Sequence, residues 1–133
     1  MGRFIIKFKC NRIIKKKINW PYLSSNPEAI ELLKANSDKI YWDALSSIPN
    51  AIELLKANPD NINWQWLSIN PSAKAIELLK ENRSNIDWSW LSLNSNEGAI
   101  ELLKANFEKI DWYYLSKNPN PEAIELLKAN FEK

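Results

Sequence analysis

Residues 86–106 read IDWSWLSLNSNEGAIELLKAN, and this unit decides the fold because four variants of it lie elsewhere in the chain. An Ile-x-Trp-x-x-Leu-Ser segment opens each unit, and a later Ala-Ile-Glu-Leu-Leu-Lys segment is identical in all five. The repeated tryptophans are Trp20, Trp42, Trp64, Trp88 and Trp112, at spacings of 22, 22, 24 and 24 residues. Repetition at such a period indicates a repeat architecture.

The Ala-Ile-Glu-Leu-Leu-Lys segment predicts an amphipathic helix. Its Ala, Ile and Leu side chains cover about 160° of a helical wheel, with Glu and Lys on the opposite, solvated side. In the first repeat, Asn26 is expected to cap this helix and Pro27 to occupy its first position. Each copy is followed by an asparagine, which we expect to end the helix in the left-handed conformation. These asparagines are Asn36, Asn58, Asn82, Asn106 and Asn130.

The tryptophan segment predicts a shorter helix of about two turns, because a proline follows it in most repeats. An Asn or Asp directly before the tryptophan is placed to cap this helix. The caps are Asn19, Asn63, Asp87 and Asp111, whereas repeat two has Tyr41 at this position. The Ile before the cap and the Leu after it have the spacing of a hydrophobic staple. We therefore expect each tryptophan to be the large core residue of its repeat.

Two short helices cannot bury an apolar stripe alone, but five stacked pairs can. The sequence therefore predicts an all-α fold, a short α-solenoid of five helix-turn-helix repeats of 22–24 residues each. A closed helical bundle is the alternative. The expected repeats are residues 18–39, 40–61, 62–85, 86–109 and 110–133, and residues 1–17 form a basic N-terminal arm or a cap on the open end of the first repeat.

The pattern Ile-Asp-Trp-x-x-Leu-Ser-x-Asn-Pro, followed by Ala-Ile-Glu-Leu-Leu-Lys-Ala-Asn, resembles the short tandem repeats of many proteins of nucleocytoplasmic large DNA viruses. The resemblance covers residues 18–133 and is specific to the repeat pattern. It implies a viral, intracellular protein that serves for interactions, in the infected-cell cytoplasm, the virion or the nucleus. It implies no catalytic residue.

The arm differs sharply in charge from the repeats. Residues 1–17 contain seven basic side chains and no acid, whereas residues 18–133 have a net charge of −5. The basic residues are Arg3, Lys7, Lys9, Arg12, Lys15, Lys16 and Lys17. Such a cluster suits nucleic acid, an anionic membrane surface or nuclear import, and a solvated terminus is the alternative. Alternating apolar residues between Phe4 and Cys10 favour a short strand.

Composition argues against an enzyme. The chain has no histidine, so His-based catalysis and His metal ligands are excluded. Its single cysteine, Cys10, cannot form an internal disulfide and fits a reducing compartment. The sequence has no glycine-rich phosphate loop, zinc-ligand spacing or nucleophile–base pair, and no apolar run as long as a membrane span. We expect no cofactor and no metal.

Four aromatic residues are candidates for a protein-binding surface. Tyr22, Trp66, Trp90 and Tyr114 each lie two residues after the repeated tryptophan, on another side of the helix. Ala44 takes this position in repeat two, so the core does not require an aromatic ring there. Packing between repeats is the competing interpretation. The last repeat also keeps the apolar stripe of the internal repeats, which predicts association with a partner or with a second copy. A two-fold dimer is the favoured form of self-association, and a head-to-tail filament of a structural, self-assembling protein is the alternative.

Overall fold

The computed structural model describes residue 14 and residues 16–131, and this part of the chain is all-α. Its ten α-helices alternate between a tryptophan-bearing first helix and a second helix in each repeat. The first helices are α1 (Trp20–Ser24), α3 (Trp42–Ser46), α5 (Trp64–Ser68), α7 (Trp88–Leu93) and α9 (Trp112–Leu115). The second helices are α2 (Ile30–Lys34), α4 (Ile52–Lys56), α6 (Ala73–Glu81), α8 (Glu97–Ala105) and α10 (Pro121–Asn130). The predicted strand near Phe4 lies outside the described residues.

The first helices begin at the predicted caps. The side-chain oxygens of Asn19, Asn63, Asp87 and Asp111 each accept a hydrogen bond from the backbone N–H three residues later. Tyr41 occupies the cap position in repeat two and makes no such bond, which agrees with the absence of a short polar side chain there. These helices span only four to six residues, which is shorter than the expected two turns. They are short because the chain turns out of the helix after the Leu-Ser pair to bury the polar residues described below.

The second helices differ between the early and late repeats. In repeats one and two, a 3₁₀ turn (Pro27–Ala29 and Pro49–Ala51) precedes a helix of five residues. Repeats three to five carry two more residues, and their second helices run for nine or ten residues from Ser72, Asn96 and Asn120 as caps. The two extra residues therefore lengthen the start of the helix.

The predicted left-handed ending of the second helices is wrong. Asn58, Asn82 and Asn106 have φ near −136°, −133° and −132°, and no non-glycine residue in the described part of the chain has a positive φ. Each repeated asparagine instead donates its side-chain N–H to the carbonyl of the Leu four residues earlier, at 2.8–2.9 Å. The side chain thus satisfies a carbonyl that the helix leaves unpaired at its last turn.

The first helices of successive repeats pack side by side throughout and form one layer. The second helices form the other layer, in which α6, α8 and α10 pack against one another and the 3₁₀ turns of repeats one and two are in contact. The core between the layers is formed by the staple residues and the apolar stripe of the second helices. Its centre is occupied by leucines that are fully buried, such as Leu45, Leu67, Leu91 and Leu115. The five repeated tryptophans are only partly buried and pack against this core from its margin. The expectation that they form its centre is therefore corrected, because the smaller leucines fill the space between stacked helices.

A buried serine joins each repeat to the next. The hydroxyls of Ser46, Ser68 and Ser92 donate to the tryptophan carbonyl four residues earlier, at 2.7–2.8 Å. Each also accepts the backbone N–H of the residue before the next repeat's tryptophan, at 3.0 Å. Ser24 accepts the N–H of Tyr41 in the same way. The Leu-Ser pair of the repeat therefore couples one helix to its neighbour.

A buried asparagine makes a second connection, in which the following repeat again supplies the donor and the preceding repeat the acceptors. The side-chain N–H groups of Asn94 donate to the carbonyls of Ser68 and Asn70 in the preceding repeat, at 3.0 and 2.9 Å. Its side-chain oxygen accepts the N–H of Asn96 at 3.0 Å. Asn70 and Asn118 repeat this arrangement. These side chains satisfy buried backbone groups that no helix or sheet pairs.

Candidate protein-binding surface

The four aromatic residues singled out in the sequence occupy equivalent positions on neighbouring first helices. Tyr22 is 77% exposed and Trp66 is 39% exposed, whereas Trp90 and Tyr114 are half-buried. We call Tyr22, Trp66, Trp90 and Tyr114 the aromatic stripe. Ala44 interrupts it in repeat two, so Tyr22 lies apart from the other three. The first helices pack directly against one another and hold these side chains on a rigid layer.

The stripe contains one close contact between predicted site residues. The rings of Trp66 and Trp90 meet edge to face, with centroids 5.0 Å apart and planes at 67°. Such a geometry is favourable for an aromatic pair. Part of each indole is therefore used for packing between repeats three and four, and the remaining surface faces solvent.

Two residues that the sequence prediction missed extend the stripe at repeat five. Tyr113 is exposed and its ring meets that of Tyr114 with centroids 5.4 Å apart. The ammonium of Lys117 lies 4.7 Å from the Tyr113 centroid and 5.7 Å from the Tyr114 centroid, within the range of a cation–π interaction. The Tyr-Tyr-x-x-Lys spacing was the available signal, because the chain still turns in the helical sense just after α9 and residues three and four apart in such a turn are neighbours.

The carboxylates beside the stripe are engaged in structural bonds. Asp87 and Asp111 cap α7 and α9, and Asp111 also accepts the hydroxyl of Ser89 at 2.9 Å. Asp43 accepts the side-chain N–H of Asn63 at 2.9 Å. Within residue 14 and residues 16–131, no group of three or more Cys, His, Asp or Glu side chains is placed to hold a metal ion.

The glutamates of the second helices form exposed ion pairs. Four of them pair with the lysine three residues later, at 3.0–3.6 Å: Glu31, Glu77, Glu101 and Glu125. Two further pairs cross between repeats, Lys74 with Glu53 at 3.6 Å and Lys104 with Glu122 at 3.1 Å. The hydrogen bond to the Glu122 carboxylate raises the pKa of Lys104 above its ordinary value. Exposed pairs of this kind contribute little to stability, typically about 0–1 kcal/mol.

Most of the predicted basic arm lies outside the described residues. This applies to Arg3, Lys7, Lys9, Arg12 and Lys15, while Lys16 and Lys17 are exposed. Among the helices in the described part of the chain, none combines the length and the apolar character needed to cross a membrane.

The outer face of repeat five carries an apolar groove of about 420 Å³. It is lined by Trp112, Ile124, Leu127, Lys128, Asn130 and Phe131. Ile124 is 41% exposed and Phe131 is 85% exposed, whereas Ile100 and Leu103, the equivalents of Ile124 and Leu127 in repeat four, are buried. The next repeat covers this face in repeats one to four, so the groove is the unfilled form of an internal junction.

Comparison of the chain with family models, with curated proteins and with solved structures found no match.

Proposed function

We propose that this chain is a non-enzymatic protein-binding module, and that the aromatic stripe is its binding surface. The observation that carries the proposal is the exposure of large aromatic side chains on a rigid layer, with Tyr22 at one end and the Tyr113–Tyr114 pair at the other. Tyr and Trp are the residues most enriched among the energetic anchors of protein interfaces. The resemblance to tandem repeats of large DNA viruses supports host or virion proteins as partners, inside infected cells.

The test is quantitative affinity capture from host-cell lysate with variants that keep the core intact. We expect a variant carrying Trp66→Gln and Tyr113→Ser to capture at most about a tenth of the amount of a specific partner that the wild type captures. Tyr41→Ser is the matched control, because Tyr41 is exposed but occupies the cap position outside the stripe. Equal capture by both variants and the wild type would contradict the proposal.

The alternative is binding of nucleic acid or an anionic surface through the basic arm. Seven positive charges over 17 residues support it. Such binding is expected to be weak, to fall steeply with salt and to disappear when residues 1–17 are deleted. Salt titrations of the full and deleted chains on DNA and RNA measure this. Tight, salt-resistant binding by the deleted chain would instead assign nucleic-acid recognition to the repeats.

Self-association is a second candidate function, which the open groove on repeat five favours. Exposed apolar surface of this kind is typical of interaction sites. A dimer through the last repeat, expected from the sequence, is one form that this association can take.

A further inference from the structure

Three of the four internal junctions, those between repeats two and five, share a set of contacts with a direction, whereas Ile48 takes the place of the asparagine at the first junction. In the earlier repeat of each such pair, a serine hydroxyl and two backbone carbonyls act as acceptors. In the later repeat, the backbone N–H of the residue before the tryptophan and an asparagine side-chain amide act as donors. The junction between repeats four and five shows the set in full, with the Asp111 N–H on Ser92 and the Asn118 amide on the Ser92 and Asn94 carbonyls.

The outer face of repeat five presents the acceptor half of this set. Ser116, the equivalent of Ser92, donates to the Trp112 carbonyl but is exposed, whereas Ser92 is fully buried. Phe131 is the equivalent of Phe107, whose ring packs edge to face on Trp112 of the following repeat with centroids 5.3 Å apart. Together with the apolar groove, these groups have the form of a junction that lacks its following repeat.

Among residue 14 and residues 16–131, the outer face of repeat one presents the donor half. Asn19 and Asn26, the equivalents of Asp111 and Asn118, are both exposed. Leu32 is 46% exposed, although the same leucine is buried in repeats two to four. Glu28 is exposed at the position of Glu122, which pairs with a lysine of the preceding repeat.

We propose that copies of this chain stack head to tail, with repeat one of one copy on the outer face of repeat five of another. This proposal rests on the self-association candidate and names its geometry. The Asn19 N–H then binds the Ser116 hydroxyl, and the Asn26 amide binds the Ser116 and Asn118 carbonyls. Trp20 covers Phe131 as Trp112 covers Phe107, and Glu28 meets Lys128 as Glu122 meets Lys104.

The direction of these contacts favours head-to-tail stacking over a two-fold dimer. A two-fold axis through repeat five would place its serine hydroxyls and carbonyls against the same groups of the second copy. Those carbonyls are acceptors only, so burying them together would leave them without hydrogen-bond partners, which is unfavourable. Head-to-tail contact pairs them with donors, and it repeats without closing unless the stack curves into a ring.

The test uses two full-length variants, each blocked at one face by a lysine where the side chain is already partly exposed. Leu32→Lys blocks the head and leaves the groove of repeat five intact, while Ile124→Lys blocks the tail and leaves repeat one intact. Tyr41→Lys is the control, since it adds the same charge at an exposed position on an internal repeat. Sedimentation velocity over a concentration series measures the mass, and circular dichroism checks that each variant is folded.

Head-to-tail stacking predicts that the wild type and the Tyr41→Lys control grow beyond a dimer with concentration. Each blocked variant alone is expected to remain monomeric, with association at least about tenfold weaker. Their equimolar mixture is expected to form a heterodimer that grows no further, because one open head meets one open tail.

Three results would overturn the proposal. A wild type that stays monomeric at high concentration would show that the open faces do not associate. Dimers of Leu32→Lys alone, without growth on mixing, would assign the two-fold arrangement through repeat five. Two folded variants that remain monomers after mixing, beside a wild type that associates, would place the contact elsewhere. None of these results depends on the aromatic stripe. The proposed partner-binding surface is tested separately by the capture experiment described above.

Discussion

At the scale of single residues, the stack depends on polar side chains buried at fixed positions. Ser68, Asn70, Ser92 and Asn94 are almost completely buried, and no buried side-chain nitrogen or oxygen in the described residues lacks a partner. Each one serves backbone groups that belong to a neighbouring repeat. A leucine in their place would fill the space but leave those groups without partners.

Asn94 is the sharpest test of this role. We expect Asn94→Ala to lower the free energy of unfolding by about 2–4 kcal/mol, because two carbonyls and one N–H lose their partner in the interior. Ser95→Ala is the control, as the Ser95 side chain is exposed, and it should change stability by less than about 0.5 kcal/mol. Urea unfolding measures both values. Equal stability of the two variants would show that water or a backbone shift replaces the asparagine.

Asn94→Asp adds a dependence on pH. A carboxylate would face the Ser68 and Asn70 carbonyls, so its charged form is disfavoured in the fold and its pKa is raised there. The variant should therefore lose stability, relative to wild type, as the pH rises through the ordinary aspartate pKa of about 3.9 and above it. Urea titrations at several pH values test this. A stability difference that does not change with pH would mean that the carboxylate reaches solvent.

The two tryptophans of repeat four differ in their surroundings. Trp88 packs against the hydrophobic core, while Trp90 packs edge to face on Trp66 in the outer layer. Because Trp88 lies at the margin of the core and is only partly buried, we expect Trp88→Ala to cost about 3 kcal/mol, the lower end of the range for truncated core aromatics, and Trp90→Ala clearly less. Thermal and urea unfolding provide the comparison. Equal losses would show that the outer pair is as important to the stack as the core contact.

Single residues also show which features could be predicted from the sequence and which could not. Caps such as Asn63 and Asp87 could be predicted because capping is local and needs only the neighbouring residues. The buried role of Asn94 could not, since its partners lie 24 and 26 residues away and asparagine is more often exposed. Its recurrence two residues after the Leu-Ser pair in four of the five repeats, with Ile48 in repeat two, was the only signal. The spacing in the sequence put the stripe residues at equivalent positions of their repeats. Their exposure could not be predicted, because it depends on how closely neighbouring first helices approach.

At the scale of elements, none of the helices is long enough to be stable by itself. Isolated helices shorter than about 12–15 residues are marginal in water, and those described here span four to ten residues. Caps, side-chain bonds to the last carbonyls and contacts with neighbouring repeats stabilise them together. The all-α class and the helix pairs could be predicted from periodicity. The 3₁₀ turns before α2 and α4 could not, because they depend on the two residues that these repeats lack.

Within the helices, Gly98 is a position where a substitution is expected to increase the stability of the fold. It is the second residue of α8, and the equivalent residues in α6 and α10 are Lys74 and Glu122. A Cβ atom there would lie 3.0 Å from the Asn96 side-chain oxygen and 3.2 Å from Ile76, which requires a small shift. Because Glu122 is accommodated after the same Asn cap, we expect Gly98→Glu to stabilise the fold by about 1 kcal/mol through helix propensity and the helix dipole.

The Gly98→Glu measurement has a matched control in Gly98→Gln, which has nearly the same shape without the charge. The difference between the two reports the interaction of the carboxylate with the helix dipole and with Lys80, the equivalent of Lys104. Thermal unfolding at low and high salt separates these contributions, because both electrostatic terms are screened. Loss of stability in both variants would show that Ile76 cannot move and that this junction requires glycine.

At the scale of the whole molecule, contacts run only between neighbouring repeats, so the array has no closing contact between its first and last units among the described helices. Stability in such an array is close to a sum of repeat and junction terms. Repeat one and repeat five each contact only one other repeat. Leu32 and Ile124 are therefore exposed, because no described repeat packs on the faces where they lie. The same property means that a repeat can be removed without changing the junction chemistry of those that remain.

Removal of repeat three tests this additivity directly. Deleting residues 62–85 joins Asn61 to Ile86, which restores the Asn-Ile pair found at the natural Asn85–Ile86 connection. The Asp87 N–H then faces Ser46, and the Asn94 amide faces the Ser46 and Ile48 carbonyls, the groups that Asn63 and Asn70 bind now. We expect a folded four-repeat protein with lower stability and an m-value in urea reduced by roughly a fifth, since the m-value scales with the surface exposed on unfolding.

A deletion of half a repeat provides the control for that experiment. Removing residues 62–71 takes out α5 but keeps α6 and its Ser72 cap, so two second helices follow each other and neither the serine nor the asparagine contact can form at the junction. This shorter deletion should lose cooperative unfolding and much of its helical circular dichroism, although it removes fewer residues. If it were as stable as the chain without repeat three, the stack would be held by apolar burial alone, and the register of its polar contacts would have no part in specifying the fold.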